Sequence, residues 1–274
     1  MEIPFYKMQG AANDFIVINN MELKLSGDQL VSLTKQVCQK HFSIGSDALM
    51  ALDFPQNDGD FRMRFYNADG TEAEMCGNGV RCIARYAYET GICNEQMTVE
   101  TQAGNVYCWR LSKRQYKVQM NEPSVETFDM NFPESNLTLD YVELGNPGVP
   151  HLVVHYPELK ATSLANITSL AEKMRSWSAL DKGANVNFYA VDKNGVVILR
   201  TFERGVEDFT LACGTGAVST AYVLKKRRII QTDPVTLQVL GGRLEVTENN
   251  QRFYLIGDTN IVIKGNICDE DLVI

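Results

Sequence analysis

The chain has no apolar run approaching the roughly 20 residues that a membrane-spanning helix requires. Its start, Met1-Glu2-Ile3-Pro4, lacks the basic residues and apolar core of a secretory signal. Histidine is scarce. The three present, His41, His151 and His155, form no metal-ligand pattern, and no Cys-x-x-Cys pair accompanies them, so no metal is expected. Basic charge is also in deficit, with 26 Lys and Arg against 34 Asp and Glu. The resulting net charge of −8 argues against a nucleic-acid surface and, with no apolar span, against a membrane partner. The one basic cluster, Lys225-Lys226-Arg227-Arg228, falls where a helix is predicted to end and complements its dipole there. Seven cysteines at irregular spacing make no disulfide framework, and a reducing cytoplasm is the expected compartment. A pyridoxal-type site would need a lysine in a recognisable setting. Neither Lys7 nor Lys182 has one, so no cofactor is expected.

What is present is a sheet-rich pattern with a repeated cysteine motif. At 274 residues the chain is long enough for two medium domains, and its 45% apolar fraction is ordinary for a globular protein. Period and breakers predict short strands at 3–8, 14–19, 47–53, 61–66, 97–102, 106–111, 115–120, 140–145, 151–156, 186–192, 196–203, 235–240, 243–248, 252–257 and 260–264. Helical spacing predicts helices at 28–40, 77–89, 164–176 and 214–226, the first with Ser26 and Gln29 as a capping box. Met63-Arg64-Phe65-Tyr66-Asn67 precedes Cys76 much as Leu199-Arg200-Thr201-Phe202-Glu203 precedes Cys213. A duplicated strand–loop–helix unit follows, with the stretch around 121–138 as the expected linker.

Each copy ends in the same chemistry: Cys76-Gly77-Asn78-Gly79 and Cys213-Gly214-Thr215-Gly216. A thiol at a helix N-terminus sits against the positive end of the dipole, which favours the thiolate. The glycines let backbone N–H groups approach an anion closely. Two such thiols facing one carbon suit a reaction that removes a proton from one side and returns one to the other. The α-carbon of an amino acid fits, because two helix N-termini aimed at its carboxylate stabilise the charge that develops. Cys38, Cys82, Cys93, Cys108 and Cys268 lack the glycine-flanked setting and read as packing or surface residues. A cysteine-protease reading could use His151 or His155 as base, but it gives the second cysteine no task.

Several further segments strengthen this reading: Gly10-Ala11-Ala12-Asn13-Asp14-Phe15, Tyr66-Asn67-Ala68-Asp69-Gly70, the block Glu-Ala-Glu-Met-Cys-Gly-Asn-Gly-Val-Arg-Cys at 72–82, Pro150-His151, Val186-Asn187, Glu203-Arg204-Gly205 and Leu-Ala-Cys-Gly-Thr-Gly at 211–216. With these the chain resembles, nearly end to end, the diaminopimelate epimerases, cofactor-independent racemases with two cysteines. The resemblance implies an α+β fold of two pseudo-symmetric domains, each a β-barrel-like sheet around a central helix. It implies domains at 1–121 and 122–260, with a C-terminal strand in 261–274 returning to the first. It implies Cys76 and Cys213 as the acid/base pair, with Gly77, Asn78, Gly214 and Thr215 on the reacting carboxylate. Asn13, Asn67, Asn187 and Arg204 then match contacts to amino and distal groups of the substrate. His151 and Glu203 match residues that bind the ammonium and assist the thiols. A homodimer acting on a small amino acid is the implied assembly.

Three positions depart from the family pattern. Ala48 replaces a Gly or Gln, Val149 stands where aligning on His151 expects an Asn, and Phe209 replaces a Glu. All three bear on the far end of the substrate, so racemisation of another amino acid, such as histidine, on the same scaffold stays as the alternative. His41 reads as structural. Asn78 argues against the proline racemase branch, which carries His after its first Cys-Gly. A phenazine-type isomerase would lack the paired cysteines.

Overall fold

The computed structural model describes residues 2–268, 270 and 272–274. In chain order the strands of the first part are β1 (Ile3–Gly10), β2 (Asn13–Asn19), β3 (Ala48–Asp53), β4 (Phe61–Asn67), β5 (Glu72–Ala73), β6 (Gln96–Thr101), β7 (Gly104–Arg110) and β8 (Gln115–Gln119). The helices among them are α1 (Asn20–Leu23), α2 (Gly27–Val37) and α3 (Gly77–Glu89). There follow β9 (Pro123–Asn131), β10 (Thr138–Leu144), β11 (Val149–His155), α4 (Thr168–Arg175), β12 (Asn185–Val191), β13 (Val197–Glu203), β14 (Asp208–Phe209) and α5 (Gly214–Lys226). The chain closes with β15 (Val235–Val239), β16 (Gly242–Asn249), β17 (Arg252–Asp258) and β18 (Asn260–Ile267). Two compact units result, one of residues 1–118 with 257–274 and one of residues 119–256.

In the first unit β1 pairs antiparallel with both β2 and β18. β2 runs parallel to β3, and β3 is antiparallel to β4. β4 then takes β5 antiparallel on one stretch and β6 parallel on another, and β6–β7–β8 is an antiparallel meander. The second unit repeats this wiring. β10 pairs antiparallel with β11 and β9, β11 runs parallel to β12, and β12 is antiparallel to β13. β13 takes β14 antiparallel and β15 parallel, and β15 is antiparallel to β16. The parallel steps need crossovers, and helices supply them: α1 and α2 before β3, α3 before β6, α4 before β12 and α5 before β15. Both units are therefore α+β, sheet-dominated and built to one plan.

Each unit wraps its sheet around one helix. α3 packs against β1, β2, β3, β6 and β7, and residues 78–87 are all buried. α5 packs against β10, β11, β12 and β16, with residues 216–224 all buried. A second helix covers the outer sheet face. Leu30, Leu33 and Val37 of α2 pack on Ile16, Ile18 and Leu49, while Ala171 and Met174 of α4 pack on Leu152, Val186 and Phe188. Strands with a helix on both faces need no polar alternation, which is why β3 reads as a nearly continuous apolar run, while β12 is buried from Asn185 to Ala190 even at its two asparagines. Among the described residues no helix is long and apolar enough to cross a membrane.

Two local expectations change. The stretch 121–138 holds β9, a strand on the edge of β10, rather than a bare linker. The helix expected at 164–176 opens as a 3-10 turn over Leu164–Asn166 and becomes α-helical at Thr168.

Candidate active site

Cys76 is the N-cap of α3, in extended backbone at φ −136°. The first bond of the helical ladder runs from Val80 N–H to Cys76 O at 2.8 Å, so the amides of Gly77, Asn78 and Gly79 precede the ladder. The half-buried thiol donates to Asn13 Oδ1 at 3.6 Å. Asn13 opens β2, and its Nδ2 donates to Asp47 Oδ2 at 2.9 Å, which turns the amide oxygen toward the sulfur. Asp47 is tied in turn to Asp14: its backbone N–H donates to Asp14 Oδ1 at 3.0 Å, and Asp14 pairs with Lys7 at 2.5 Å. Asn67, exposed at the end of β4, closes the following turn by donating to Thr71 Oγ1 at 3.0 Å. Asn78 is buried and accepts from Arg81 Nη2 at 2.8 Å.

Cys213 is the corresponding N-cap of α5, at φ −113° and 7% exposed. Its sulfur accepts from Gly216 N–H at 3.4 Å and lies 3.4 Å from Thr215 Oγ1. Ala217 N–H begins the ladder on Cys213 O at 3.0 Å, leaving Gly214 and Thr215 in the first turn. Glu203, the last residue of β13, accepts hydrogen bonds from Thr210 Oγ1 and from the Cys213 thiol. Burial raises its carboxyl pKa above the ordinary value, and those two hydrogen bonds partly offset the rise. Arg204 begins the next turn. Its N–H donates to Asn185 Oδ1 at 2.9 Å and its exposed guanidinium to Lys182 O at 2.9 Å.

His151 and Asn187 lie deeper. His151 on β11 is fully buried, and burial, aided by the Arg204 charge, pulls its pKa down to about 3. Its Nδ1 faces Asn187 Nδ2 at 3.2 Å, which assigns the ring proton to Nε2. Nε2 has no hydrogen-bond partner among the described residues. Asn187 also donates to Leu152 O at 2.9 Å and accepts from Thr201 Oγ1 at 2.9 Å, so its amide is spent inside the unit. Gly216 of α5 rests directly on it: a Cβ there would stand 2.3 Å from Asn187 Oδ1.

None of the remaining cysteines caps a helix that opens on a Cys-Gly-x-Gly turn, although Cys82 and Cys108 lie around Arg81. Burial pushes Cys38, Cys82 and Cys108 up to about 12 and Cys93 up to about 11, while Cys268 is exposed. His41 lies exposed in a turn at φ +74°. Phe209 points into the outer core, edge-on to Phe202 at 5.4 Å, and Ala48 is buried in β3. Arg81, Asp47, Asn185 and Thr210 hold the candidate residues and were not singled out from the sequence. The one available signal was helical spacing, which sets Arg81 three and four positions after Asn78 and Gly77.

The closed α+β wiring with a helix in each sheet is a known architecture. A phenazine biosynthesis protein of the PhzF family from Enterococcus faecalis superposes with a TM-score of 0.72 at 16% identity, over 97% of this chain and 99% of that one. The family model for diaminopimelate epimerase matches residues 5–126 and 144–262. The diaminopimelate epimerase of Aquifex aeolicus (strain VF5) is 35% identical, covering 98% of this chain and 99% of that protein. That of Methanothrix thermoacetophila is 33% identical, over 99% and 98%. The chain belongs to the diaminopimelate epimerase family.

Proposed function

We propose that this protein interconverts LL- and meso-diaminopimelate, with Cys76 and Cys213 as the acid/base pair at one α-carbon. The observation that carries the reading is that each half of a family member ends a strand, turns, and presents a cysteine as N-cap of its buried central helix. One sulfur removes the α-proton as thiolate while the other delivers a proton to the opposite face as thiol, and the roles exchange with direction. The α-carboxylate lies on the amides of Gly77, Asn78, Gly214 and Thr215, where the helix dipoles stabilise the negative charge as it builds. The Arg204 guanidinium takes a distal carboxylate and Glu203 an ammonium. Asn13 and Asn67 contact the substrate, Asn13 through the oxygen it also offers to Cys76. Asn187, spent on internal hydrogen bonds, and the neutral His151 ring that accepts from it support the floor of α5. The same reading makes the enzyme a homodimer in the cytoplasm, serving lysine and cell-wall precursor synthesis. Seven cysteines without a disulfide framework suit such a reducing compartment.

The test is conversion in D₂O. The protein with LL-diaminopimelate should yield the meso isomer deuterated at the α-carbon. Cys76→Ala and Cys213→Ala should each lower the rate by ~10²-fold or more. Deuteration of histidine but not of diaminopimelate would move the substrate to the rival amino acid. Parental rates in both variants would end the two-thiol mechanism.

A further inference from the structure

Arg81 is fully buried in α3 and has no carboxylate within ion-pair distance among the described residues. A guanidinium stays protonated throughout the range in which proteins are folded. A buried cation without an anion is strongly disfavoured, so its setting needs a reason. Side chains on a helix lean toward its N-terminus. Arg81 follows that rule and folds back into the first turn, donating from Nη1 to Gly77 O at 3.3 Å and from Nη2 to Asn78 Oδ1 at 2.8 Å. Its Nε has no hydrogen-bond partner among the described residues. The charge is thus fixed beside the two residues that directly follow Cys76.

The other groups around it do not neutralise it. Cys82 on α3 and Cys108 on β7 face the guanidinium, but burial pushes both thiols up to about 12, which keeps them uncharged at neutral pH. Asp258, closing β17, is exposed and leans on Arg114 at 3.9 Å. Arg85, one turn further along α3, is engaged by Glu89 at 3.5 Å and by Thr259 O at 2.8 Å. On the β2 side the sulfur donates to the neutral Asn13 amide, behind which Asp47 is bonded to Asn13 and Asp14 to Lys7. Burial pulls the Arg81 pKa below its ordinary value, and Cys82, Cys76, Cys108 and Asp258 act against that pull.

We propose that Arg81 is a positioning residue for Cys76: its buried charge adds to the α3 dipole and holds the sulfur as thiolate when it serves as base. The proposal rests on Cys76 being one of the two proton-transferring thiols. It goes further in naming what sets that thiol's protonation.

The experiment is the pH profile of iodoacetamide alkylation on the reduced full-length protein, with Cys76 and Cys213 followed separately by peptide mass spectrometry. It needs no turnover, so it is read independently of the D₂O conversion that tests the mechanism. In the parent, the Cys76 midpoint should fall below the ordinary thiol value of about 8.5. Arg81→Met should raise it by about one pH unit or more. Cys213 should stay in place, and Arg81→Lys, which keeps the charge, should stay near the parental midpoint. A folded Arg81→Met protein with an unmoved Cys76 midpoint would overturn the proposal. So would a parental Cys76 that titrates at or above about 8.5, a result that needs no variant. Should Arg81→Met fail to fold, Arg81→Lys decides: a Cys76 midpoint risen to the ordinary value would show that the charge is not the agent.

Discussion

Gly216→Ala is the sharpest probe of how the second candidate thiol is held. The added Cβ would meet Asn187 Oδ1 at 2.3 Å, Thr201 Oγ1 at 3.2 Å and Cys213 Cβ at 3.3 Å. Asn187 cannot swing aside, because it is fully buried and tied to His151, Leu152 O and Thr201. Either the α5 N-terminus lifts or the Asn187 amide turns, and both break hydrogen bonds. Overpacking costs typically 1–3 kcal/mol, and each internal hydrogen bond lost costs about 1 kcal/mol more. Alanine returns at most about 1 kcal/mol in helix propensity. The expected net is a loss of about 2–3 kcal/mol, read as a lower urea midpoint by the fluorescence of Trp177, which packs edge-on to Phe132 at 5.4 Å within the same unit. Activity should fall further than stability, since the displaced turn carries Cys213 and its neighbouring amides. Gly79→Ala is the milder counterpart in α3: its closest contacts, Met50 Sδ at 3.0 Å and Phe65 Cε2 at 3.2 Å, are apolar side-chain atoms with no hydrogen bonds to lose. A Gly216→Ala protein as stable as the parent, or more so, would refute the tight seating of α5 on Asn187.

Two other outcomes are expected. Thr210→Val removes a hydrogen bond that favours the ionised form of Glu203, so the carboxyl pKa, already raised by burial, should rise further. The acid limb of the kcat–pH profile then moves to higher pH, and Thr210→Ser should restore it; an unmoved limb would remove Glu203 from the rate-controlling ionisations. His151 titrates at about 3 when folded and near 6.5 when unfolded, so the unfolded chain takes up the proton first as pH falls. Its contribution is fully present above pH ~6.5 and is lost progressively down to about 3. Urea midpoints measured across that window should slope less in His151→Gln than in the parent, and equal slopes would contradict a buried neutral imidazole.

Sequence patterns reveal what is local. The two central helices were legible because each opens on a Cys-Gly-x-Gly turn and carries apolar residues at helical spacing. Inner strands such as β3 were legible as apolar runs. β9 was not, because Asp129 at φ +59° bulges the strand and breaks its alternation. Thr127 lies opposite Tyr141 and Met130 opposite Leu139, so Phe128 and Met130 fall out of phase with Val125. Only the β10 edge makes Pro123–Asn131 a strand. Arg81 was hidden for a different reason: a charged residue on a helix reads as solvent-facing, and only the sheet wrapped around α3 shows that it is not. Asn187 reads equally well as a contact or a support, and its three internal partners come from residues 14 to 36 positions away.

The pairing of Ile3 with Ile267 joins two strands separated along the chain by the whole of residues 119–256. As a ribosome releases the polypeptide, β1 emerges well before β18 and must wait for it before its open edge is covered. Residues 119–256, by contrast, have all been delivered before β18 leaves the exit tunnel. The unit that holds β1 is therefore completed after the other, and loss of β18 would leave an uncapped sheet border exposed to any neighbouring chain.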